Sequence, residues 1–341
     1  MKNARYLAAA LTLIAVILLA ASLHGLSLGA DTALAHSDLP VYGGSAVHDA
    51  DASLDEAAAL RTTYSTDDGY LSERWGADRI EAPQAWRITK GESIIVAVLD
   101  TGINKDDQDL ADRVVAEVNL TDSPTSDDVY GHGTHMAGTI AAIAPECLLM
   151  NVKVADDTGR SEASVVARGI VWAVDNGAQV INISLSMRAS PELEQAVDYA
   201  RDRGAIVIAA AGNQGVSEPV FPAYYANCLA VAGTNKNDSL ALFSNYGYWV
   251  DVAAPGFNIY SEMPRGEYEY KTGTSAAAAH VSGVAALVFS IAEDSSGDGA
   301  LNDEVRWAIE SSCISVDGEG MGRGLVNAFQ AVTATTSSTL P

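Results

Sequence analysis

The stretch GHGTHMAGTI, residues 131–140, places His132 between two glycines and His135 three positions later. Such a pair can be a metal site, a helix start with incidental histidines, or half of a catalytic pair. A helical zinc site of the usual kind needs histidines at i and i+4 with a glutamate between them. Here Gly-Thr intervenes and the sequence offers no third ligand, so no metal is expected. The catalytic reading needs other parts. A nucleophile needs a base for its proton, the base needs an anion to fix its tautomer, and the developing oxyanion needs donors. Ser275, His132, Asp100 and Asn213 supply one of each. Taken alone, Asp100-Thr101-Gly102 also reads as an ordinary turn after a strand.

The elements that must position these residues are short apolar runs: SIIVAVLD, LLMNVKV, AQVINISLS, AIVIAAAGN, CLAVAGT and WVDVAAPG. Helical stretches such as SEASVVARGIVWAVDNG and SPELEQAVDYARDRG separate them, and SAAAAHVSGVAALVFSIA and LNDEVRWAIESS follow. Near-continuous apolar strands alternating with helices predict an α/β fold, with a mainly parallel central sheet and helices on both faces. In such folds function gathers at the C-terminal strand ends. Asp100 and Asn213 end apolar runs, whereas His132 and Ser275 open helices. No internal repeat is visible.

With these segments in order, the chain resembles the subtilisin-like serine proteases (subtilases). DTG at Asp100, HGTHMAGT at His132, AAAGN at Asn213 and GTSAAAAHVSG at Ser275 match that family's signatures, in its order Asp, His, Ser. Lesser matches extend the resemblance over about residues 72–333, including RWGADRIEAPQAW, VKVADDTG and GRGLVNAFQAV. It implies a three-layer subtilisin-like fold and a secreted serine endopeptidase of broad specificity. Ser275 is then the nucleophile, His132 the base and later the acid, and Asp100 the residue that orients it. Asn213 joins the Ser275 backbone N–H in an oxyanion hole. His135 is expected to pack or hydrogen-bond. Substrate would lie extended between Arg160-Ser161-Glu162 and Ser184-Leu185-Ser186, as an added strand, with Gly212 and Val220 in the binding cleft.

The chain departs from the family pattern in several places. Ala276 and Ala279 stand where relatives often have Met and Pro, which removes an oxidation-prone side chain beside Ser275. GTIAAIAPECLL runs from helix to strand without the loop that holds a tight calcium ion in many relatives. Calcium is therefore possible but doubtful there, Asp109 reads as structural, and no cofactor is expected to be required. Val220 and Ser186 replace common glycines of the specificity pocket, which favours medium apolar P1 residues (Leu, Met, Ala) over large aromatics. DSSGDGALNDEV, from Asp294, resembles a calcium loop but has Val305 where a bidentate Glu belongs. The expectation there is a surface loop with Asn302 as helix N-cap.

Composition bounds the rest. The 341 residues carry 44 acidic and 20 basic side chains, a formal net charge of −24. Nucleic acid is excluded as a partner, because phosphate binding needs clustered Lys and Arg. Protein or peptide substrates and a monomer are expected. MKNAR followed by YLAAALTLIAVILLAASL and an Ala33-x-Ala35 site reads as a signal peptide over 1–35. An uncleaved anchor is the alternative; cleavage leaves a secreted protein without stable membrane association. Residues 36–72 read as a short pro-segment or linker, 73–333 as the catalytic domain and 334–341 as a disordered tail. Cys147, Cys228 and Cys313 form no CxxC pair, and no disulfide is expected.

Overall fold

A computed structural model describes residues 73–106, 109–316 and 318–336. The expected signal peptide, the pro-segment and residues 337–341 lie outside the described residues.

Seven strands form one parallel sheet. They are β1 (Ile95–Asp100), β2 (Val114–Asn119), β3 (Leu148–Lys153), β4 (Val180–Ile183), β5 (Ile206–Ala210), β6 (Cys228–Thr234) and β7 (Val252–Pro255). Their order is β2-β3-β1-β4-β5-β6-β7, and every neighbouring pair is parallel. From β1 the chain fills one side of the sheet, β2 at the edge and then β3 between it and β1; from β4 it builds outward on the other side. The place where strand order reverses lies between β1 and β4, and in open α/β sheets ligands bind beyond the strand ends at such a place.

Helices cover both faces. On one side lie α1 (Trp75–Arg79), α2 (Ala82–Ala85), α3 (His132–Ile143), α6 (Thr274–Phe289), α7 (Asn302–Ser311) and α8 (Ala328–Thr336); on the other lie α4 (Ala163–Asp175) and α5 (Pro191–Asp202). Strand alternation divides β1 between two cores: Val96 and Val98 join the α3/α6 side, and Ala97 and Leu99 the α4/α5 side. Helix α6 is buried along its whole length, which explains its run of Ala, Ser and Gly. A Cβ on Gly283 would come within 2.5 Å of Ile143 Cβ, so glycine lets α6 and α3 approach closely.

Three strands were not anticipated. β2 alternates half-buried and exposed positions at the sheet edge. β8 (Ile259–Met263) and β9 (Glu267–Lys271) form a separate antiparallel hairpin, largely exposed along β9. Helix α8 runs to Thr336, past the expected domain end at 333. Asn302 is not the N-cap of α7: Leu301 holds that position, and Asn302 Nδ2 donates to the carbonyls of Arg201 (3.0 Å) and Ala205 (3.4 Å). Arg201 lies in the last turn of α5, where helical carbonyls lack intrahelical donors. Asn302 therefore serves the end of α5 rather than the start of its own helix.

Candidate active site

Asp100 is the last residue of β1 and fully buried. Its Oδ1 accepts hydrogen bonds from Thr101 N–H (2.7 Å) and from His132 Nδ1 (2.7 Å). An imidazole that donates from Nδ1 presents its lone pair at Nε2. His132 Nε2 is buried and has no hydrogen-bond partner among the described residues.

His132 opens α3, and its backbone path depends on both flanking glycines. Gly131 has φ 92°, in the left-handed region. A Cβ on Gly133 would lie 2.1 Å from Gly102 O and 3.0 Å from Asp100 Cβ. Only glycine lets the α3 start sit this close to the end of β1.

Ser275 lies in the first turn of α6, 6% exposed. Its Oγ donates to the carbonyl of Ser184 at 3.3 Å, and Ser184 Oγ donates back to the Ser275 carbonyl at 3.2 Å. Ser184 directly follows β4, so the structure brings the ends of β1 and β4 and the starts of α3 and α6 to the strand-order reversal. Asn213 follows β5. Its Oδ1 accepts from Thr274 N–H (2.8 Å) and Thr274 Oγ1 (2.9 Å). A backbone N–H can only donate, so the amide oxygen must face Thr274 and Nδ2 points away from it. Nδ2 lies 3.3 Å from where a Gly273 Cβ would stand, beside the turn into Ser275. Gly212, with φ 99°, donates its N–H to Thr274 Oγ1 (3.0 Å), which locks the same junction.

The remaining predicted cleft residues divide into two groups. Ser184 and Leu185 are buried and Ser186 half-buried. Met187 and Phe221 form an antiparallel bridge, with N–H to O distances of 2.9 and 3.3 Å. That bridge sets Ser186 and Val220 on adjoining segments. Arg160 and Glu162 are exposed and Ser161 half-buried. Their segment is tied to the region just past β3, through Ser161 Oγ to Val154 O (2.7 Å) and Asp156 N–H to Arg160 O (2.8 Å).

Residues that the sequence did not single out hold the site in place. Asp128 is 5% exposed. Its Oδ1 accepts from Thr101 Oγ1 (2.8 Å) and Gly131 N–H (2.7 Å), and its Oδ2 from Thr134 N–H (2.8 Å) and Thr134 Oγ1 (2.7 Å). Thr101 Oγ1 also accepts Gly133 N–H (2.9 Å). An acidic residue shortly before a helix start was the available signal. Lys153, fully buried at the end of β3, donates to the carbonyls of Thr101 and Asp127 (the latter at 3.3 Å) and lies 2.9 Å from Asp157 Oδ1. The Asp157 contact is an ion pair whose angles fall outside hydrogen-bond geometry.

The other two histidines among the described residues are buried in the fold. His135 is buried, with Nε2 3.1 Å from Ile259 O and 3.2 Å from Glu269 O. Burial, reinforced by the nearby Lys271 charge, pushes its pKa down to about 3. His280, buried in α6 with Nδ1 2.8 Å from Ala276 O, is pushed down by burial to about 4. The three cysteines are unpaired. Asp109 Oδ2 accepts from Tyr268 hydroxyl (2.7 Å), and α3 passes through a short turn into β3. No inserted loop is present there to supply carbonyl ligands, so these residues do not fit the relatives' tight calcium site.

Comparison with known proteins agrees with this geometry. A family model described as the subtilase family, peptidase S8, matches residues 91–325. Thermitase of Thermoactinomyces vulgaris is 42% identical over 284 residues, covering 79% of this chain and 99% of that protein. Subtilisin BL of Lederbergia lenta is 42% identical over 269 residues, covering 75% and 97%. A thermophilic serine proteinase of Bacillus sp. (strain AK1) is 39% identical over 279 residues, covering 77% and 68%. With the fold, the strand-end geometry and this likeness in agreement, the chain belongs to the subtilase family and is a serine endopeptidase.

Proposed function

We propose that this protein is an exported endopeptidase of broad specificity that cleaves peptide bonds through Ser275, His132 and Asp100. The observation that carries the reading is the 2.7 Å bond from His132 Nδ1 to Asp100, which leaves a buried, unpartnered Nε2 as base. Ser275 Oγ turns from the Ser184 carbonyl towards Nε2, gives up its proton and attacks the substrate carbonyl. Asp100 holds the tautomer and stabilises the imidazolium, which then protonates the leaving amine. Asn213 Nδ2 and the Ser275 backbone N–H, an orphan donor of the first helical turn, receive the oxyanion. Losing the side-chain donor costs on the order of 10²–10³ in turnover, a magnitude taken from a subtilisin. These steps require no cofactor.

Substrate backbone pairs between residues 160–162 and 184–186, with Gly212, Val220 and Ser186 around the P1 side chain. The apolar N-terminal run supports export, and among the described residues no helix is long and apolar enough to cross a membrane. The enzyme acts as a monomer on protein or peptide substrates. The test compares the chain from residue 36 with its Ser275→Ala variant, using a fluorophosphonate probe and casein. Labelling and cleavage by the parent alone support the proposal. Labelling without casein cleavage points to a narrow processing enzyme. A folded parent that does neither overturns the catalytic assignment.

A further inference from the structure

The loop between α6 and α7, with the first turn of α7, carries DSSGDGALNDE, residues 294–304. In calcium loops of this pattern, acidic or hydroxyl residues occupy alternate early positions and glycine the sixth, with a bidentate carboxylate closing the twelfth. Val305 stands at the closing position and is fully buried in the core, so it supplies nothing.

Glu304, one residue earlier, turns back into the loop. Its Oε1 accepts from Ser296 N–H (2.9 Å) and Ser295 Oγ (3.2 Å). The residue is 7% exposed, and its Oε2 is buried without a donor among the described residues. A buried carboxylate oxygen without a partner is costly, and a bound cation is one of the few groups that satisfy it.

Asp294, exposed at the start of the loop, shares Ser296 with Glu304 as a hydrogen-bond partner. Its Oδ1 accepts from Ser296 Oγ (3.1 Å) and Gly297 N–H (2.6 Å), and its Oδ2 from Gly299 N–H (2.9 Å). Gly297 and Gly299 have φ 78° and 88°, so the loop follows a left-handed path on which a side chain would be strained. Three carboxylates do not converge among the described residues. Asp298 instead accepts from Ala300 N–H at 2.9 Å. The other two carboxylates both accept from Ser296, Asp294 from its hydroxyl and Glu304 from its backbone N–H.

We propose that this loop binds a calcium ion, with Glu304 replacing the missing closing carboxylate and Asp294 and Ser296 as its partners. The shortage of acidic ligands places it with weak extracellular calcium modules, at about 10⁻⁴–10⁻³ M. The site is separate from Asp109 and from the peptidase machinery, and anchors the connection between the nucleophile's helix and α7.

The test uses the full chain carrying Ser275→Ala, which removes self-cleavage, stripped with chelator. At about 10 mM calcium its Tm should rise by about 3–10 °C, and magnesium should do less. Glu304→Gln and Asp294→Asn should each abolish the rise. No calcium-dependent rise overturns the proposal, and so does an undiminished rise in both variants. If the variants do not fold, terbium decides on the parent alone. Emission sensitised by Trp307, in the same helix as Glu304, and displaced by calcium supports the site; no such emission overturns it.

Discussion

Asp128 and Thr134 are joined twice: the backbone N–H and the hydroxyl of Thr134 both donate to Asp128 Oδ2, at 2.8 and 2.7 Å. With Gly131 N–H and Thr101 Oγ1 on the other oxygen, one carboxylate ties the first turn of α3 to the residue after Asp100. It also places a negative charge at a helix N-terminus, where the dipole favours it. Asp128→Asn turns an amide NH₂ towards groups that donate, costing about 2–3 kcal/mol of stability. We expect kcat to fall by about 10-fold or more with KM little changed, because His132 loses alignment rather than substrate contact. Steady-state kinetics with a chromogenic peptide, beside a thermal melt, checks both. A variant with unchanged kcat refutes the positioning role.

Lys153 reaches the Thr101 carbonyl from the other side. Lys153→Met leaves the partly buried Asp157 without its cation and two carbonyls without a donor. Removing one partner of a buried pair costs about 3–5 kcal/mol. Urea unfolding of the Ser275→Ala form, with and without the second change, measures it. A loss under about 1 kcal/mol would mean the contact behaves like a surface pair.

Stability should fall as the solution is made acidic. His135 and His280 have folded pKa values near 3 and 4, well below the usual value of 6.5. The unfolded chain therefore binds more protons wherever pH lies between these values. Their contribution is fully present above about pH 6.5 and is lost as pH drops towards 4 and then 3. Each group contributes a slope approaching about 1.4 kcal/mol per pH unit inside its window. Denaturant melts of the inactive variant at pH 7 and pH 5 should differ by a few kcal/mol; equal midpoints contradict the burial argument.

Substrates with Leu at P1 should be turned over faster than those with Phe or Tyr, because Val220 and Ser186 add atoms to adjoining segments. A methylene-sized difference is worth about 1–3 kcal/mol of discrimination. A peptide series varied only at P1 gives the ratio of kcat/KM values, and an aromatic preference rejects this account of the pocket.

Activity should tolerate mild peroxide, since Ala276 follows the nucleophile. One alternative target is Met263, whose Cε would lie 2.5 Å from a Cβ on Gly131, next to His132. If peroxide does inactivate the enzyme and Met263→Leu protects it, the lesion is on the base side. Inactivation that survives this substitution counts against both ideas.

The six runs legible as strands are those buried on both faces, where continuous apolar sequence is unavoidable. β2 escaped notice because an edge strand can carry Glu117 and Asn119 outward, and β9 because EYEYK is mostly exposed. Asp100, His132, Asn213 and Ser275 stood out because glycine and small residues surround them at strand ends and helix starts. Asp128 and Lys153 did not, because their partners are assembled by tertiary folding: Thr101 is 27 positions from Asp128 and 52 from Lys153. Asn302 was misread for the same reason. A local capping rule lost to two distant carbonyls at the end of α5. The seating of Ser275 Oγ on Ser184 O is a rotamer choice that no sequence pattern encodes.

His135 has a consequence beyond packing. It sits one turn along from His132, and its Nε2 lies within reach of carbonyls at the start of β8 and in β9. The chain passes from β9 through Gly273 into the helix that presents Ser275. A single ring therefore ties the first turn of α3 to the hairpin whose chain leads into α6, within one small neighbourhood.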